Sequence, residues 1–478
     1  MRSCAGTWVL PNYSKVSCFN GNNISLSFPS RFGSDTQKYT VLKSFPIASA
    51  ASVSGSGAQY SGSDQLLDVQ TKQKKRIAGV DQDELVEDPK LLADPDSCFC
   101  EFSGVEIHHK VYDAQLQAHE AESVSSETKS VVTSMILLHG FGASVFSWNR
   151  VMKPLAEAIG SKVLAFDRPA FGLTSRRDSV RHLSSGNGES KPVNPYSLAF
   201  SVLATLYFID FLAAEKAILV GHSAGSLVAV ESYFEAPERV AAIILVAPAI
   251  FAPIITQKVV EGHQSGTNNH TEEDGSNSNN MGNPFIQFSN ILSKFARFIS
   301  QAIMRIVKGM TVMLSSLYKR FLSAVLRSTL AIMLVRMLIN KFGIAAVRNA
   351  WYDSKQVTED VINGYTKPLR TKGWDKALVE YTAAMLTDTA SESKPPLAKR
   401  LRDIKCPVLI VTGDTDRIVP SWNAERLSRA IPGSYLEVIK HCGHLPHEEK
   451  VDEFVSVVKK FLQKAFDDSP QQRPQVVV

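Results

Sequence analysis

Cysteine is scarce in this chain of 478 residues, which contains only six. Cys98 and Cys100 are too close in sequence to form an ordinary disulfide bridge. No second Cys/His pair stands at the spacing of zinc ligands. The sequence therefore predicts reduced, structural cysteines and no bound metal.

Long uncharged apolar runs are also missing. Because no run reaches about 18 residues, a conventional transmembrane helix is not predicted. The formal net charge of +5 is small for this length, and no basic cluster is interleaved with aromatic residues. Such clusters are typical of nucleic-acid-binding proteins, so no nucleic acid is expected as a partner.

Acidic residues are almost absent from residues 1–60, where Asp35 is the only one. This segment is rich in Ser, Asn, Gly and Ala, carries scattered basic residues, and has no apolar core of the secretory type. Its composition is typical of an organelle transit peptide and favours a chloroplast over a mitochondrion. A disordered tail without a targeting role is the alternative. We interpret 1–60 as a plastid transit peptide and 61–95 as a linker.

A second stretch without Asp or Glu extends from Met281 to Ala350 and contains ten Lys and Arg residues. Apolar residues separate these cations at roughly helical spacing. A cationic amphipathic helix pair suits an anionic membrane surface, where each basic residue contributes on the order of 1 kcal/mol. We therefore expect residues 285–350 to bind a membrane peripherally. The alternative is a lid whose apolar stripe packs on the core and whose cations are solvated.

From about residue 98 onward, short apolar runs typical of β-strands alternate with longer helical patterns. This alternation predicts an α/β fold, with a mainly parallel central sheet flanked by helices. The pair 98–112 is expected to form an antiparallel hairpin at one edge. Continuous apolar runs indicate strands buried on both faces: 135–138, 163–166, 217–220, 242–246, 408–411 and 435–439.

The alternation is interrupted between about Pro253 and Arg402. A low-complexity stretch rich in Asn, Ser and Gly, 261–283, predicts a disordered loop, and helical patterns follow at about 285–350 and 358–390. An insertion at this place would form a helical lid over the strand ends. The predicted layout is a first core part 96–253, a lid insertion 254–402, a second core part 403–466 and a disordered tail 467–478.

The candidate nucleophile is Ser223, in the sequence Gly221-His222-Ser223-Ala224-Gly225. This pentapeptide follows an apolar strand and opens a helix, so the turn holds the serine hydroxyl exposed, and side chains at the flanking glycines would clash. A serine that only caps a helix is the structural alternative.

The candidate oxyanion turn is His139-Gly140-Phe141-Gly142, directly after the strand 135–138. In a hydrolase this turn supplies a backbone N–H to the oxyanion. We expect the donors to be the amides of Phe141 and Ala224.

The candidate acid is Asp416, in Gly413-Asp414-Thr415-Asp416 at the end of a strand. A carboxylate there could orient an imidazole and stabilise the imidazolium formed during reaction. Asp414 is the alternative, although it suits the turn itself better.

The candidate general base is His444, which follows Gly443 in the loop after the last strand. It would take the serine proton and return it to the leaving group. His441 and His447 are close competitors by sequence. The chain order serine, aspartate, histidine, with each at a strand end, is the order expected for this fold.

Several motifs together resemble the α/β-hydrolases over about residues 98–465. The most similar are plastid members that act on lipophilic esters, such as chlorophyll dephytylase and pheophytinase, and the wider epoxide hydrolase-like group. The motifs are Leu138-His139-Gly140-Phe141-Gly142, Phe166-Asp167-Arg168-Pro169-Ala170-Phe171-Gly172, Gly221 to Gly225, Gly413 to Asp416, and Gly443-His444.

The sequence departs from the family in one place, since Pro169-Ala170 stands where Pro-Gly is usual. Epoxide hydrolases and haloalkane dehalogenases have an aspartate nucleophile in the elbow, so Ser223 favours ester or thioester cleavage. Asp167 suits a role in organising its loop better than catalysis.

The resemblance implies a carboxylic-ester hydrolase that acts on a lipophilic small-molecule ester at a chloroplast membrane, without metal or organic cofactor. A phytyl or prenyl ester, or an acyl lipid, would be the substrate. Two alternatives stay open, namely an acyltransferase using the same triad and a non-catalytic small-molecule receptor on the same fold.

Overall fold

The computed structural model describes residues 16–18, 76–115, 133–176, 193–251, 305, 310, 313–387 and 394–467. The disordered loop predicted at 261–283 lies outside these residues, and so does the predicted tail from residue 468 onward.

The strands in the described part of the chain are β1 Val16–Cys18, β2 Arg76–Ile77, β3 Val80–Asp81, β4 Cys98–Phe102, β5 Val105–Asp113, β6 Ser134–Leu138, β7 Lys162–Phe166, β8 Ala217–His222, β9 Val240–Val246, β10 Val408–Gly413 and β11 Tyr435–Ile439. Nine of them form a central sheet in the order β1-β4-β5-β7-β6-β8-β9-β10-β11. β2 and β3 form a separate hairpin.

The strands from β6 to β11 pair in parallel, whereas β1, β4 and β5 pair antiparallel at one edge. This arrangement confirms the predicted α/β class with a mainly parallel sheet and an added edge hairpin. The helices are α1 Asn149–Ile159, α2 Leu198–Phe211, α3 Gly225–Glu235, α4 313–326, α5 Thr329–Ala350, α6 Glu359–Thr366, α7 Trp374–Thr387, α8 Leu397–Arg400, α9 Ser421–Ala430, α10 Pro446–Glu449 and α11 Val451–Asp467.

The hydrophobic core lies on both faces of the parallel strands, because successive strand residues point to opposite faces. Ile136 and Leu219 pack on one face with α2, α3 and α9. Leu137 and Val220 pack on the other with α1 and α11. Burial on both faces explains why these strands are continuous apolar runs.

The amino-terminal region contributes more to the fold than its composition predicts. Val16–Cys18, inside the predicted transit peptide, pair antiparallel with β4. The edge of β4 offers unpaired backbone groups that such a strand can satisfy. The assignment of 1–60 as a transit peptide stays a prediction.

The predicted linker 61–95 is wrong for residues 76–95, which pack against the lid. Ile77 and Val80 are buried. The Val86 carbonyl accepts a 2.8 Å hydrogen bond from the Lys372 amide, and Trp374 Nε1 donates to Gln82 Oε1 across 3.2 Å. These partners lie almost 300 positions away in the sequence, so a polar local composition could not indicate them.

Helix α5 is fixed to the protein along one side. Arg336 Nε lies 2.6 Å from Asp375 Oδ2 on α7, and the Ala78 amide donates to Asn340 Oδ1 across 3.1 Å. The buried end of the helix is Ala350. These contacts hold α5 on the surface of the fold, within the helical insertion between β9 and β10, which we call the lid.

The opposite side of α5 is apolar and exposed. We call this surface the lid stripe; the exposed fractions of its side chains range from 43% to 76%, and its members are Leu330, Met333, Leu334, Met337, Leu338 and Phe342. Helix α4 adds further exposed apolar side chains, including Leu317 and Phe321. Large exposed apolar patches on soluble proteins are frequently interaction sites.

By length and composition alone, α5 is the one helix in the described residues that could cross a membrane, with a mean hydropathy of 1.8 in its most apolar window. The sequence criterion required an uncharged run, and Arg336 and Lys341 interrupt this one. Because Arg336 pairs with the buried carboxylate of Asp375, α5 has the contacts of a helix that lies along the protein.

Candidate active site

Ser223 occupies the sharp turn between β8 and α3. Its backbone is left-handed, with a φ of +50°. The Ser223 amide donates to Val246 O across 2.9 Å, and its carbonyl accepts from the amides of Ser226 and Ala249 at 3.1 and 3.2 Å. A non-glycine residue persists in this conformation only where its surroundings hold it, which is a common feature of functional turns.

The two glycines that flank this turn have no room for a side chain. A Cβ on Gly221 would lie 2.6 Å from the Gly225 carbonyl oxygen. A Cβ on Gly225 would overlap the carbonyl oxygen of Leu138, at the end of β6. The close approach of these backbones explains why the sequence needs glycine at both positions.

Asp416 and His444 form a buried pair that joins the ends of β10 and β11. His444 Nδ1 lies 2.7 Å from Asp416 Oδ2. The other oxygen, Oδ1, accepts hydrogen bonds from the amides of Ile418 and Val419 at 2.8 and 2.9 Å. These bonds satisfy both oxygens of the carboxylate and fix its orientation toward the imidazole.

The sequence competitors of this pair have other contacts. Asp414 Oδ1 accepts from Thr415 Oγ1 at 2.9 Å and from the Cys442 amide at 3.3 Å, as expected for a residue that stabilises the turn. His441 is exposed at the surface. The His447 ring is buried against Trp148, with 4.3 Å between the ring centroids.

His222 lies next to Ser223 in the chain and contacts both His444 and the oxyanion turn. The rings of His222 and His444 are 4.9 Å apart, and His222 Nε2 donates to the His444 carbonyl across 3.1 Å. A Cβ on Gly140 would lie 2.8 Å from His222 Nδ1 and 3.1 Å from Ser223 Cβ. No hydrogen bond joins Ser223 Oγ to His444 within the described residues; such bonds often tighten only when substrate binds.

The amides of Phe141 and Ala224, the predicted oxyanion donors, have no acceptor among the described residues. Ala224 precedes the first residue of α3, where helix geometry leaves backbone N–H groups without intrahelical partners. Unpaired N–H groups beside the elbow can bind a developing oxyanion.

The Arg168 side chain is hydrogen-bonded to the backbone of the oxyanion turn, a role that the sequence did not indicate. Its buried guanidinium donates to the carbonyls of His139 and Gly140 at 2.8 and 3.3 Å. The Arg168 amide donates to His139 Nε2 across 3.1 Å, and His139 Nδ1 donates to Gly140 O across 2.8 Å. Burial and the neighbouring Arg168 lower the pKa of His139 to about 3, so the imidazole is neutral, as this bonding pattern requires.

Asp167 organises the adjoining loop, in agreement with its interpretation from the sequence. It accepts from His108 Nδ1 at 2.6 Å and from the amides of Val145 and Leu173 at 2.6 and 2.7 Å. Ala170 in the same loop has a φ of +80°. This left-handed backbone favours glycine, which explains the Pro-Gly that the family usually has there.

An aromatic wall stands beside the oxyanion turn. We use this name for Phe141, Phe171 and Tyr381, whose ring centroids are 4.8 to 6.0 Å apart. Phe141 is 55% exposed, and Tyr381 belongs to lid helix α7. Phe171 and Tyr381 are buried, so Phe141 provides the exposed apolar surface of the wall, and its ring contact with Tyr381 connects the oxyanion turn to α7.

The described residues contain no group of three His, Cys, Asp or Glu side chains placed to hold a metal ion.

Residues 135–457 match the family model described as the alpha/beta hydrolase family, and the chain belongs to that family. It is 24% identical over 334 residues to the dihydrolipoyllysine-residue acetyltransferase component of the acetoin cleaving system of Cupriavidus necator. That alignment covers 69% of this chain but only 63% of the relative.

The chain is also 21% identical over 332 residues to the uncharacterized hydrolase YugF of Bacillus subtilis, covering 69% of this chain and 89% of YugF. Among solved structures it is similar to the meta-cleavage product hydrolase CumD from Pseudomonas fluorescens IP01, with a TM-score of 0.45 and 19% identity over 77% of this chain and 97% of that one. Hydrolase activity is the general function that the family supports.

Proposed function

We propose that this protein is a serine hydrolase that cleaves a carboxylic ester of a lipophilic molecule at a plastid membrane. The observation that carries the proposal is the buried Asp416–His444 pair beside Ser223 in its left-handed turn. Strained backbone together with buried, hydrogen-bonded polar side chains is typical of active sites and is not expected of loop residues without a function.

In the proposed reaction, the Ser223 hydroxyl attacks the ester carbonyl while His444 accepts its proton at Nε2. Nδ1 is turned toward Asp416, which stabilises the imidazolium. The amides of Phe141 and Ala224 bind the oxyanion, and His444 returns the proton to the departing alcohol. Water activated by His444 then releases the acid from the acyl-enzyme.

The aromatic wall is evidence in favour of a lipophilic substrate. Its exposed member, Phe141, is also the residue whose amide faces the reacting carbonyl in the proposal. An apolar chain lying on this surface would place its ester at the oxyanion turn, since side chain and amide belong to the same residue.

The lid stripe is evidence in favour of peripheral binding to an anionic membrane. Exposed cations flank it, including Lys341 and Arg348, and no acidic residue occurs between Met281 and Ala350 to oppose them. Apolar burial and attraction to anionic lipids act together in such helices. The favoured occupant of the stripe is therefore a lipid surface, and a second copy of the chain is the outcome to test against.

The plastid location rests on the composition of residues 1–60. A phytyl or prenyl ester, or an acyl lipid, would be both lipophilic and located in that membrane.

Acyl transfer is a second candidate, favoured by the similarity to an acetyltransferase component. The same acyl-enzyme would then react with a hydrophobic alcohol instead of water. Product analysis with added long-chain alcohol separates the two, because transfer yields a new ester and hydrolysis yields the free acid.

The test of the proposal is labelling with a fluorophosphonate probe in the presence of liposomes, beside a Ser223→Ala control. We expect the wild type to be labelled and the variant not. Hydrolysis of phytyl and acyl esters in the liposomes would then identify the substrate class. Absence of labelling in the folded wild type would contradict the proposal and favour a small-molecule receptor on this fold.

A further inference from the structure

The carboxyl end of lid helix α5 lies directly on the loop that carries His444. The Ala350 carbonyl, at the last residue of α5, accepts a 2.6 Å hydrogen bond from the His444 amide. A Cβ on Gly443 would overlap the Ala350 carbonyl oxygen and lie 2.7 Å from the Tyr352 amide nitrogen. The carboxyl end of α5 and the loop of His444, the candidate general base, are therefore tightly packed against each other.

A single carboxylate, that of Glu449 at the end of α10, spans this junction. Its Oε2 accepts from the Gly443 amide at 2.7 Å and from the Tyr352 amide at 3.1 Å. Its Oε1 accepts from the Asp353 amide at 3.2 Å. One amide precedes His444 in the chain, and the other two follow the end of α5.

The acid side of the pair is tied to the same segment. Arg417, which follows Asp416, donates from Nη1 to the Trp351 carbonyl across 3.1 Å. Both members of the Asp416–His444 pair are thus bonded, directly or through a neighbour, to residues 350–353. Glu449 makes the largest number of these bonds, since its carboxylate accepts from three backbone amides.

We propose that Glu449 is a positioning residue that keeps His444 aligned with Ser223 by fixing its loop to the base of α5. This inference rests on the proposed function, because it takes His444 as the base. Glu449 touches no reacting atom in that reaction. Its removal leaves three amides without their acceptor. The bond from the His444 amide to the Ala350 carbonyl is then the remaining direct hydrogen bond between the loop and α5.

The test compares Glu449→Ala, Glu449→Gln and the control Glu453→Gln in the full chain. Glu453 is exposed on the neighbouring helix α11. For each protein, fluorophosphonate labelling of Ser223 is separated into a maximal rate and a half-saturating probe concentration, and the thermal midpoint is measured in parallel. Gln keeps an oxygen that can accept some of the bonds, so it serves as the conservative rescue.

We expect Glu449→Ala to lower the maximal labelling rate roughly 10- to 100-fold, since small misplacements of a reacting group cost about that much. The half-saturating concentration should change little, Glu449→Gln should be intermediate, and Glu453→Gln should match the wild type. If Glu449→Ala misfolds, a folded Glu449→Gln with an unchanged maximal rate overturns the inference.

The two proposals fail in different ways. A folded wild type that is not labelled at all would overturn the proposed function and this inference with it. A labelled wild type together with an equally fast, folded Glu449→Ala variant would overturn the positioning role alone. A fall in thermal midpoint with no fall in maximal rate would assign Glu449 a purely structural role, and so also contradict the inference.

Discussion

His444 Nδ1 lies 2.7 Å from Asp416 Oδ2, across the ends of two neighbouring parallel strands. The residues are 28 positions apart in the chain, and the parallel pairing of β10 with β11 brings their loops to the same edge of the sheet. Both side chains are buried. An ion formed here during reaction would be poorly screened by water, so the pairing has a large effect on its energy.

Asp416→Asn is expected to lower the maximal rate of Ser223 labelling by roughly 1,000- to 10,000-fold, because an amide can favour the wrong imidazole tautomer and no longer stabilises the imidazolium. The matched control is Asp414→Asn, whose carboxylate bonds Thr415 and Cys442. The control should retain at least about a tenth of the rate, because the asparagine oxygen can still accept these two turn hydrogen bonds, each of which contributes about 1 kcal/mol. The reverse ranking would make Asp414 the acid.

Arg168→Lys is expected to slow labelling of Ser223 roughly 10-fold or more. The guanidinium donates from Nη2 to the carbonyls of His139 and Gly140 and from Nη1 to the Tyr381 hydroxyl. A lysine ammonium lacks this rigid planar arrangement of donors, so the oxyanion turn would lose part of its support. Rates with a substrate of known affinity should fall mainly in kcat, because the turn acts on the transition state.

The control for Arg168 is Arg239→Lys, since Arg239 also donates to backbone carbonyls, those of Glu215 and Ala214, but lies far from Ser223 in the fold. It should be labelled at the wild-type rate. Equal rates for wild type and a folded Arg168→Lys would show that the oxyanion turn keeps its conformation without the guanidinium.

Sequence patterns predicted those features of the molecule that depend on residues close together in the chain, namely its strands and motifs. The runs 217–220 and 408–411 became β8 and β10 because burial on both faces leaves a continuous apolar signature. Ser223, Asp416 and His444 could be chosen because this fold places such residues at strand ends in a set order. Their catalytic roles stay predictions until the labelling experiments are made.

The contributions that the sequence did not predict depend on contacts between distant segments. Arg168 was visible as part of a family motif, but its contact with Tyr381 spans 213 positions. Glu449 meets Tyr352 across 97 positions and has no motif around it. The packing of residues 76–95 on the lid was missed for the same reason, since hydrophobic periodicity reports burial without naming the partner.

Replacing Met333 and Met337 by glutamate is expected to weaken binding to phosphatidylglycerol vesicles by at least about 10-fold. Both side chains are more than half exposed in the lid stripe, so burial in lipid would be lost and acids would face an anionic surface. Vesicle flotation measures the effect. The control is Leu91→Glu, because Leu91 is also exposed, at 73%, but lies outside the lid.

Self-association of the lid stripe makes a different prediction. In that case the wild type would sediment as a dimer, the Met333 and Met337 double variant as a monomer, and neither would bind vesicles. That result would remove the membrane from the proposed function and leave the chemistry of Ser223 unaffected.

Glu448 provides a pH-dependent prediction that does not involve the reaction. Its carboxyl is buried and accepts a hydrogen bond from Tyr365 on lid helix α6. Burial raises the pKa of Glu448 to about 8 from its ordinary value of 4.5. The folded chain therefore keeps a proton that the unfolded chain releases above pH 4.5, and the free energy of unfolding falls as pH rises from about 4.5 to about 8.

Glu448→Gln keeps the shape and the acceptor for Tyr365 but has no proton to lose. We expect the difference in unfolding free energy between the Glu448→Gln variant and the wild type to shift in favour of the variant by up to about 1.4 kcal/mol per pH unit over that range. Chemical denaturation at about pH 6, 7, 8 and 9 measures it, with Glu453→Gln as the exposed control. A difference that stays constant with pH would mean that Glu448 ionises in the folded protein near its ordinary pKa, with water reaching the carboxyl behind the lid.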